Sequence, residues 1–233
     1  EKFSSDGLSE IKNKYSFISP LQFSFDKVEK QNWNVDWEKN VEPIVVDNRC
    51  LVRAEFHRIE KKYPYEIVIT PKMSFGTGHH QTTYLMLSAL LDIDHQNKTV
   101  MDVGCGTAIL SIMASKRGAK SVEACDIDEW SVINGKENIE TNGCLNISIQ
   151  QGKISDFNFG LFDILLANIN KNVLLEEMEI YSGHLTMGGL LLLSGFYEHD
   201  ISDLLNCARR AAFFEIKRAT KESWAALLLK KGS

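Results

Sequence analysis

Three short stretches bring together residue types that can do chemistry. Val100–Leu110 reads VMDVGCGTAIL, with Asp102 just ahead of the glycine pair Gly104 and Gly106. Glycine lets the backbone touch a ligand, because no Cβ intervenes. Asp126 follows 22 residues beyond Gly104, in EACDIDEW, where a carboxylate can accept from both hydroxyls of a ribose. Phe162–Asn170 reads FDILLANIN, and Asn168 there offers a carbonyl to orient an amine and an amide N–H₂ for another partner.

The glycine spacing selects among nucleotide-like ligands. A dinucleotide fingerprint G-x-G-x-x-G would need glycine at 109, where Ile109 stands, and the third small residue is Ala108. Pyrophosphate favours a helix dipole with free N–H groups. S-adenosylmethionine has no phosphate but carries an ammonium, which favours a carboxylate such as Asp102 beside the loop. Glycine loop, helix, strand and acid in one unit therefore point to S-adenosylmethionine. A capping role for Asn168 at the next helix is the competing reading.

These residues need a scaffold that gathers strand ends. From Thr99 onward, short β-rich runs alternate with helical patterns. Strands are expected at Thr99–Val103, Ser121–Cys125, Ile147–Gln150, Phe162–Ala167 and Leu190–Leu193, the last after a Gly188-Gly189 turn. Helices are expected at Ala108–Arg117, Glu129–Thr141, Lys171–Tyr181 and Asp200–Ala211, with Asn142-Gly143 as a C-cap pair. Phe213–Arg218 and Trp224–Leu229 read as an antiparallel hairpin. The alternation predicts an α/β fold with a doubly wound, mostly parallel sheet covered on both faces. Ahead of it, Phe17–Val28 could hold a strand, Trp33–Asn40 (WNVDWEKN) a short helix, and Leu51–Phe56 and Tyr65–Thr70 two strands.

Composition narrows the class. The 233 residues are 44% hydrophobic and 24% charged, ordinary for a globular protein. No apolar run approaches the ~20 residues a bilayer requires, and no basic, apolar leader opens the sequence. Five cysteines without a CxxC pair read as reduced thiols, so a cytoplasmic setting is expected. A net charge of −5 gives no basic face for duplex nucleic acid, so no direct nucleic-acid binding is expected. No metal is expected, because the adjacent His79 and His80 diverge and the other histidines lack ligand spacing. Cys105 in the glycine loop reads as packing, since no histidine partner is placed. Trp224 reads as hairpin core, and Glu129-Trp130 as a helix start packing on the sheet or lying near the adenine.

At these residues the chain resembles class I S-adenosylmethionine-dependent methyltransferases, and more narrowly the PrmA family of ribosomal-protein methyltransferases. The resemblance runs from Trp33 to the C-terminus through WNVDWEKN, MSFGTGHHQTT, DVGCGTAIL, DIDEW, LLANI, GGLLLLSGF and ESWAALLL. It implies a Rossmann-like seven-stranded sheet and methylation of lysine or α-amino nitrogens on the large-subunit protein L-eleven (L11). It places Thr83, Gly104, Asp126 and Asn168 at the family's cofactor contacts, and Phe75, Gly76 and Thr77 in a loop that folds over bound cofactor. Asp102, Gly106, Ile127 and Ile154 complete the expected cofactor surface, with Asn168 also the catalytic residue. Lys153 departs from the acid or small polar residue often found after the third strand, which leaves the adenine contact open. The resemblance also implies a partial N-terminal recognition element over 1–32, a linker helix and lead-in strands over 33–72, and the methyltransferase domain over 73–233. Another protein, an RNA or a small amine as acceptor, and a cofactor-binding scaffold without turnover, are the rival readings.

Overall fold

The computed structural model describes residues 42–70, 76, 78, 80–158 and 160–232. The expected strand at Phe17–Val28 and helix at Trp33–Asn40 lie outside them. Two sheets form. The smaller joins β1 (Ile44–Val46), β2 (Cys50–Arg53) and β3 (Tyr65–Val68), antiparallel then parallel.

The larger sheet follows α1 (Gln81–Leu90). It is built from β4 (Thr99–Val103), β5 (Ser121–Asp126), β6 (Ile147–Gln151), β7 (Phe162–Asn168), β8 (Leu185–Tyr197), β9 (Phe213–Lys221) and β10 (Trp224–Lys231). Between them run α2 (Ile109–Lys116), α3 (Glu129–Thr141), α4 (Lys171–His184) and α5 (Ile201–Arg210). The strand order β6-β5-β4-β7-β8-β10-β9 is parallel through β8 and antiparallel in the final hairpin. This is the seven-stranded class I methyltransferase arrangement. The order reverses direction between β4 and β7, which opens a crevice at the carboxyl ends of the strands.

Alternation along each strand makes two cores. Val100, Val122, Ile149 and Ile164 face α1, α2 and α3, while Met101, Cys125, Leu165 and Leu191 face α4 and α5. Both faces are dry, so β4 and β7 read as apolar runs. The edge strand β9 is mostly exposed and carries Glu215, Lys217, Arg218 and Lys221, charges that discourage edge pairing.

Element ends differ from the expected ones where a side chain or a partner strand takes over. β2 stops at Arg53, because the Ala54 N–H donates to His57 Nδ1 and the chain turns. β3 stops at Val68, whose N–H and carbonyl are both paired by the Asn142 side chain at 3.0 and 2.7 Å. β8 begins at Leu185, ahead of the glycine pair, through a register shift between Phe162/Leu185 and Ile164/Leu190. Among the described residues, no helix is long and apolar enough to cross a membrane.

Candidate functional site

The glycine loop is fixed before any ligand arrives. Gly104, Gly106 and Ala108 all have left-handed backbone, with φ of 67°, 52° and 62°. The Gly104 and Cys105 N–H groups donate to the Cys125 carbonyl at 2.9 and 3.1 Å, which pins the loop to β5. Ala108 is small for a reason. A Cβ built on Gly135 of α3 would lie only 3.4 Å from the Ala108 Cβ and 3.3 Å from the Gly106 carbonyl.

Asp126 ends β5 and fastens this loop. Its Oδ2 accepts from Gly106 N–H at 2.8 Å and its Oδ1 from Asp128 N–H at 3.0 Å. Each carboxylate oxygen has further lone-pair capacity, so both can still accept from a ligand. Asp102, on β4, is buried and accepts from Ser111 N–H at 3.1 Å and Ser111 Oγ–H at 2.6 Å, both at Oδ2. Burial pushes its pKa up to about 6 against the pull of those donors.

A cavity of about 580 Å³ opens over these strand ends. Val103 and Gly104 line it from β4 and its loop, Cys125, Asp126 and Ile127 from β5, and Gly152 and Lys153 from the end of β6. Asn168, Ile169 and Asn170 line it from the end of β7, and Val173, Glu176 and Glu177 from α4. Gly106, Ser131, His80, Thr82, Gly195 and Trp224 complete the wall.

The expected site residues thus divide. Gly104, Gly106, Asp126, Ile127 and Asn168 meet at the cavity. Thr83, Asp102 and Ile154 are buried and outside its lining, and Gly76 is held by Thr107, whose hydroxyl donates to the Gly76 carbonyl at 2.7 Å. Phe75 and Thr77 lie outside the described residues. Three buried polar atoms without a hydrogen-bond partner among those residues belong to this set: Thr83 Oγ1, Asp102 Oδ1 and Asn168 Oδ1. Buried polar atoms are rarely left unpaired, and of these three Asn168 lies on the cavity wall, so its carbonyl oxygen points to a ligand.

The helix-capping reading for Asn168 falls to its neighbour. Asn170 caps α4, accepting from Val173 N–H at 3.2 Å, so Asn168 is free for the cavity. Cys105 is buried and desolvation raises its thiol pKa well above the ordinary value, which fits packing. Trp130 is 73% exposed and does not pack on the sheet.

Several wall residues were not singled out as site residues from sequence, His80, Trp224, Gly195 and Glu177 among them. His80 caps α1, with its Nδ1 accepting from Thr82 N–H at 3.3 Å and lying 2.8 Å from Thr82 Oγ1. Its ring meets Trp224 edge-on at 4.6 Å, so Trp224 serves the cavity wall as well as the hairpin. Gly195 and Glu177 come from β8 and α4. The available signal for Gly195 was the glycine inside the apolar LLLLSGF run.

Comparison with known proteins fits this geometry. The family model described as "Ribosomal protein L11 methyltransferase (PrmA)" matches residues 2–232. The chain belongs to that family. Among PrmA relatives, the ribosomal protein L11 methyltransferase of Porphyromonas gingivalis is 46% identical over 208 residues, covering 88% of this chain and 72% of the relative. That of Bacteroides fragilis is 43% identical over 209 residues, covering 89% and 75%. The crystal structure of ribosomal protein L11 methylase from Lactobacillus delbrueckii subsp. bulgaricus superposes with a TM-score of 0.76 at 28% identity. It covers 83% of this chain and all (100%) of that one.

Proposed function

We propose that the protein transfers the methyl group of S-adenosylmethionine to lysine or α-amino nitrogens of large-subunit ribosomal protein L11, in the cytoplasm. The observation that carries the reading is the unpaired, buried Asn168 carbonyl oxygen at a cavity walled by Gly104 and Asp126. When bound, S-adenosylmethionine supplies an electrophilic methyl on a sulfonium, with a neutral leaving group.

The side chains fit that cofactor. Asp126 keeps acceptor capacity for ribose hydroxyls while it anchors the glycine loop. Ile127, 68% exposed beside it, offers an apolar face for a ring. Asp102 supplies negative charge under the loop for an ammonium. Thr83, beside Thr82 at the start of α1, and Gly76, held by Thr107, shape the methionine end, and the buried Ile154 follows Lys153 after β6.

The chain's work is placement. A neutral nitrogen must sit in line behind the methyl, near ~3 Å, with water excluded. A free lysine has a pKa of about 10.4, so the apolar wall of Val103, Ile169, Val173 and Trp224 must favour its neutral form. Asn168 Oδ1 accepts an N–H from that amine and so aims its lone pair. No general base is assigned.

Incubation with methyl-labelled S-adenosylmethionine and ribosomal subunits tests the reading. Label in one large-subunit protein supports it. Label confined to RNA overturns the acceptor, and the absence of any label favours a scaffold without turnover.

A further inference from the structure

A row of aromatic rings leaves the cavity on the side away from the ribose acid. The sheet order puts Asp126 of β5 on one side of Asn168, and Gly195 of β8 and Trp224 of β10 on the other. Trp224 stands directly across from Tyr197 in the β8–β10 pairing. Their rings stack with centroids 4.1 Å apart and planes 30° from parallel. His199, two residues on, stacks on Tyr197 at 5.4 Å and 15°. At the inner end His80 meets Trp224 edge-on, so four rings run in contact from the cavity wall outward.

Exposure rises along the row. His80 and Trp224 are half-buried and line the cavity. Tyr197 is 43% exposed and the His199 side chain 79%. Neither outer ring lines the cavity, so a cofactor held at Asp126 and Gly104 gives them nothing to do. Rigid, half-open aromatic rings are what protein interfaces concentrate, because they offer large contact area at little conformational cost.

Charge selects the kind of partner. Glu198 is exposed and lies between the two outer rings in sequence. Glu222, 64% exposed, sits in the hairpin turn just before Trp224. The cavity wall adds Glu176 and Glu177. The nearby lysines are engaged, Lys171 by Asp200 and Asp203 at 2.7 Å each, and Lys221 over the Tyr84 ring. A cationic segment fits this surface and an acidic one does not.

Continuity with the cavity selects the occupant. An acceptor nitrogen must reach Asn168 past this wall, and the chain that carries the nitrogen must lie outside it. Resting on the proposed methylation of a protein amine, we propose that Tyr197 and His199 form the docking surface for the lysine-bearing segment of the acceptor protein. Its alkyl stems pack along the rings, and Glu198 supplies the opposite charge.

The test is steady-state methylation of purified L11 by the full chain, with S-adenosylhomocysteine affinity measured in parallel by calorimetry. In Tyr197→Ala the KM for L11 should rise by about 10-fold or more, the usual effect of removing an interface tyrosine. Turnover at saturating L11 and cofactor affinity should stay within about twofold of wild type, a split that a general loss of structure would not give. Tyr197→Phe keeps the ring and should restore a KM near that of wild type. If Tyr197→Ala does not fold, His199→Ala, at an exposed ring, carries the test with an expected rise of about threefold. Unchanged KM in these alanine variants would overturn the docking surface alone. Cofactor affinity falling as much as KM rises would also overturn it, by assigning the rings to the cofactor site. So would self-association of wild type that Tyr197→Ala abolishes, since a second copy would then be the occupant. A wild-type protein that binds S-adenosylhomocysteine yet leaves L11 unmodified would sink the acceptor reading itself.

Discussion

The backbone of Gly195 on β8 runs directly against the backbone of Ile169, so that any Cβ at 195 would overlap Ile169 main-chain atoms. Gly104 meets the side chain of the same Ile169 from the other strand. The Asn168-Ile169-Asn170 turn is therefore gripped between two glycines, and that grip sets where Asn168 points. Gly195 also has φ of 94°, a conformation costly for other residues.

Gly195→Ala should lower stability by roughly 2–4 kcal/mol through overlap and backbone strain. Thermal unfolding reads the loss, and cofactor binding should weaken with it. A variant as stable as wild type would mean that the turn has room to move.

Asp126→Ala leaves the Gly106 and Asp128 N–H groups without their acceptor and removes the ribose contact. S-adenosylhomocysteine affinity should fall by roughly 2–4 kcal/mol, read by calorimetry. Asp126→Asn should lose less, since one amide oxygen can still accept from Gly106. Unchanged affinity in the alanine variant would remove Asp126 from the cofactor site.

Asn168→Ala should separate chemistry from binding. Turnover is expected to drop on the order of 100-fold, while cofactor affinity changes by no more than a few-fold. Equal losses in both would assign Asn168 to cofactor binding alone.

Asp102 predicts a pH dependence of stability. Its folded pKa is raised to about 6, so the fold favours the protonated form. Its contribution is fully present below the unfolded value near ~4 and is lost as pH rises through about 6. Asp102→Asn cannot ionise. The stability of the variant relative to wild type should therefore rise by on the order of 2–3 kcal/mol between pH 4 and pH 7.5. Denaturant unfolding at the two pH values checks it, and a constant difference would contradict the buried-charge assignment.

Much of this architecture was legible because its signals are local. The glycine loop, the acid ending β5 and the helix from Glu129 to Thr141 each depend on neighbours in sequence, including the Asp128 cap on Ser131 N–H at 3.0 Å. The strand alternation reports two dry faces directly. The cavity wall was harder to read because it is assembled from distant segments. Glu177 sits in LLEEMEIY, where an acid reads as part of a solvated helix face. Only its burial and the Tyr181 hydroxyl bonded to it show otherwise. Trp224 reads as hairpin core, and the cap residue His80 draws it to the cavity. β8 runs to 13 residues because β7 and β10 pair with it beyond its apolar stretch.

The central claim is that this cavity methylates ribosomal protein L11. The most direct measurement is the mass of purified L11 after incubation with S-adenosylmethionine and either the wild-type protein or Asn168→Ala. The account predicts a gain in whole methyl increments with wild type and little or none with the variant. An unmodified L11 mass with an active wild-type preparation that labels RNA or another acceptor would contradict it.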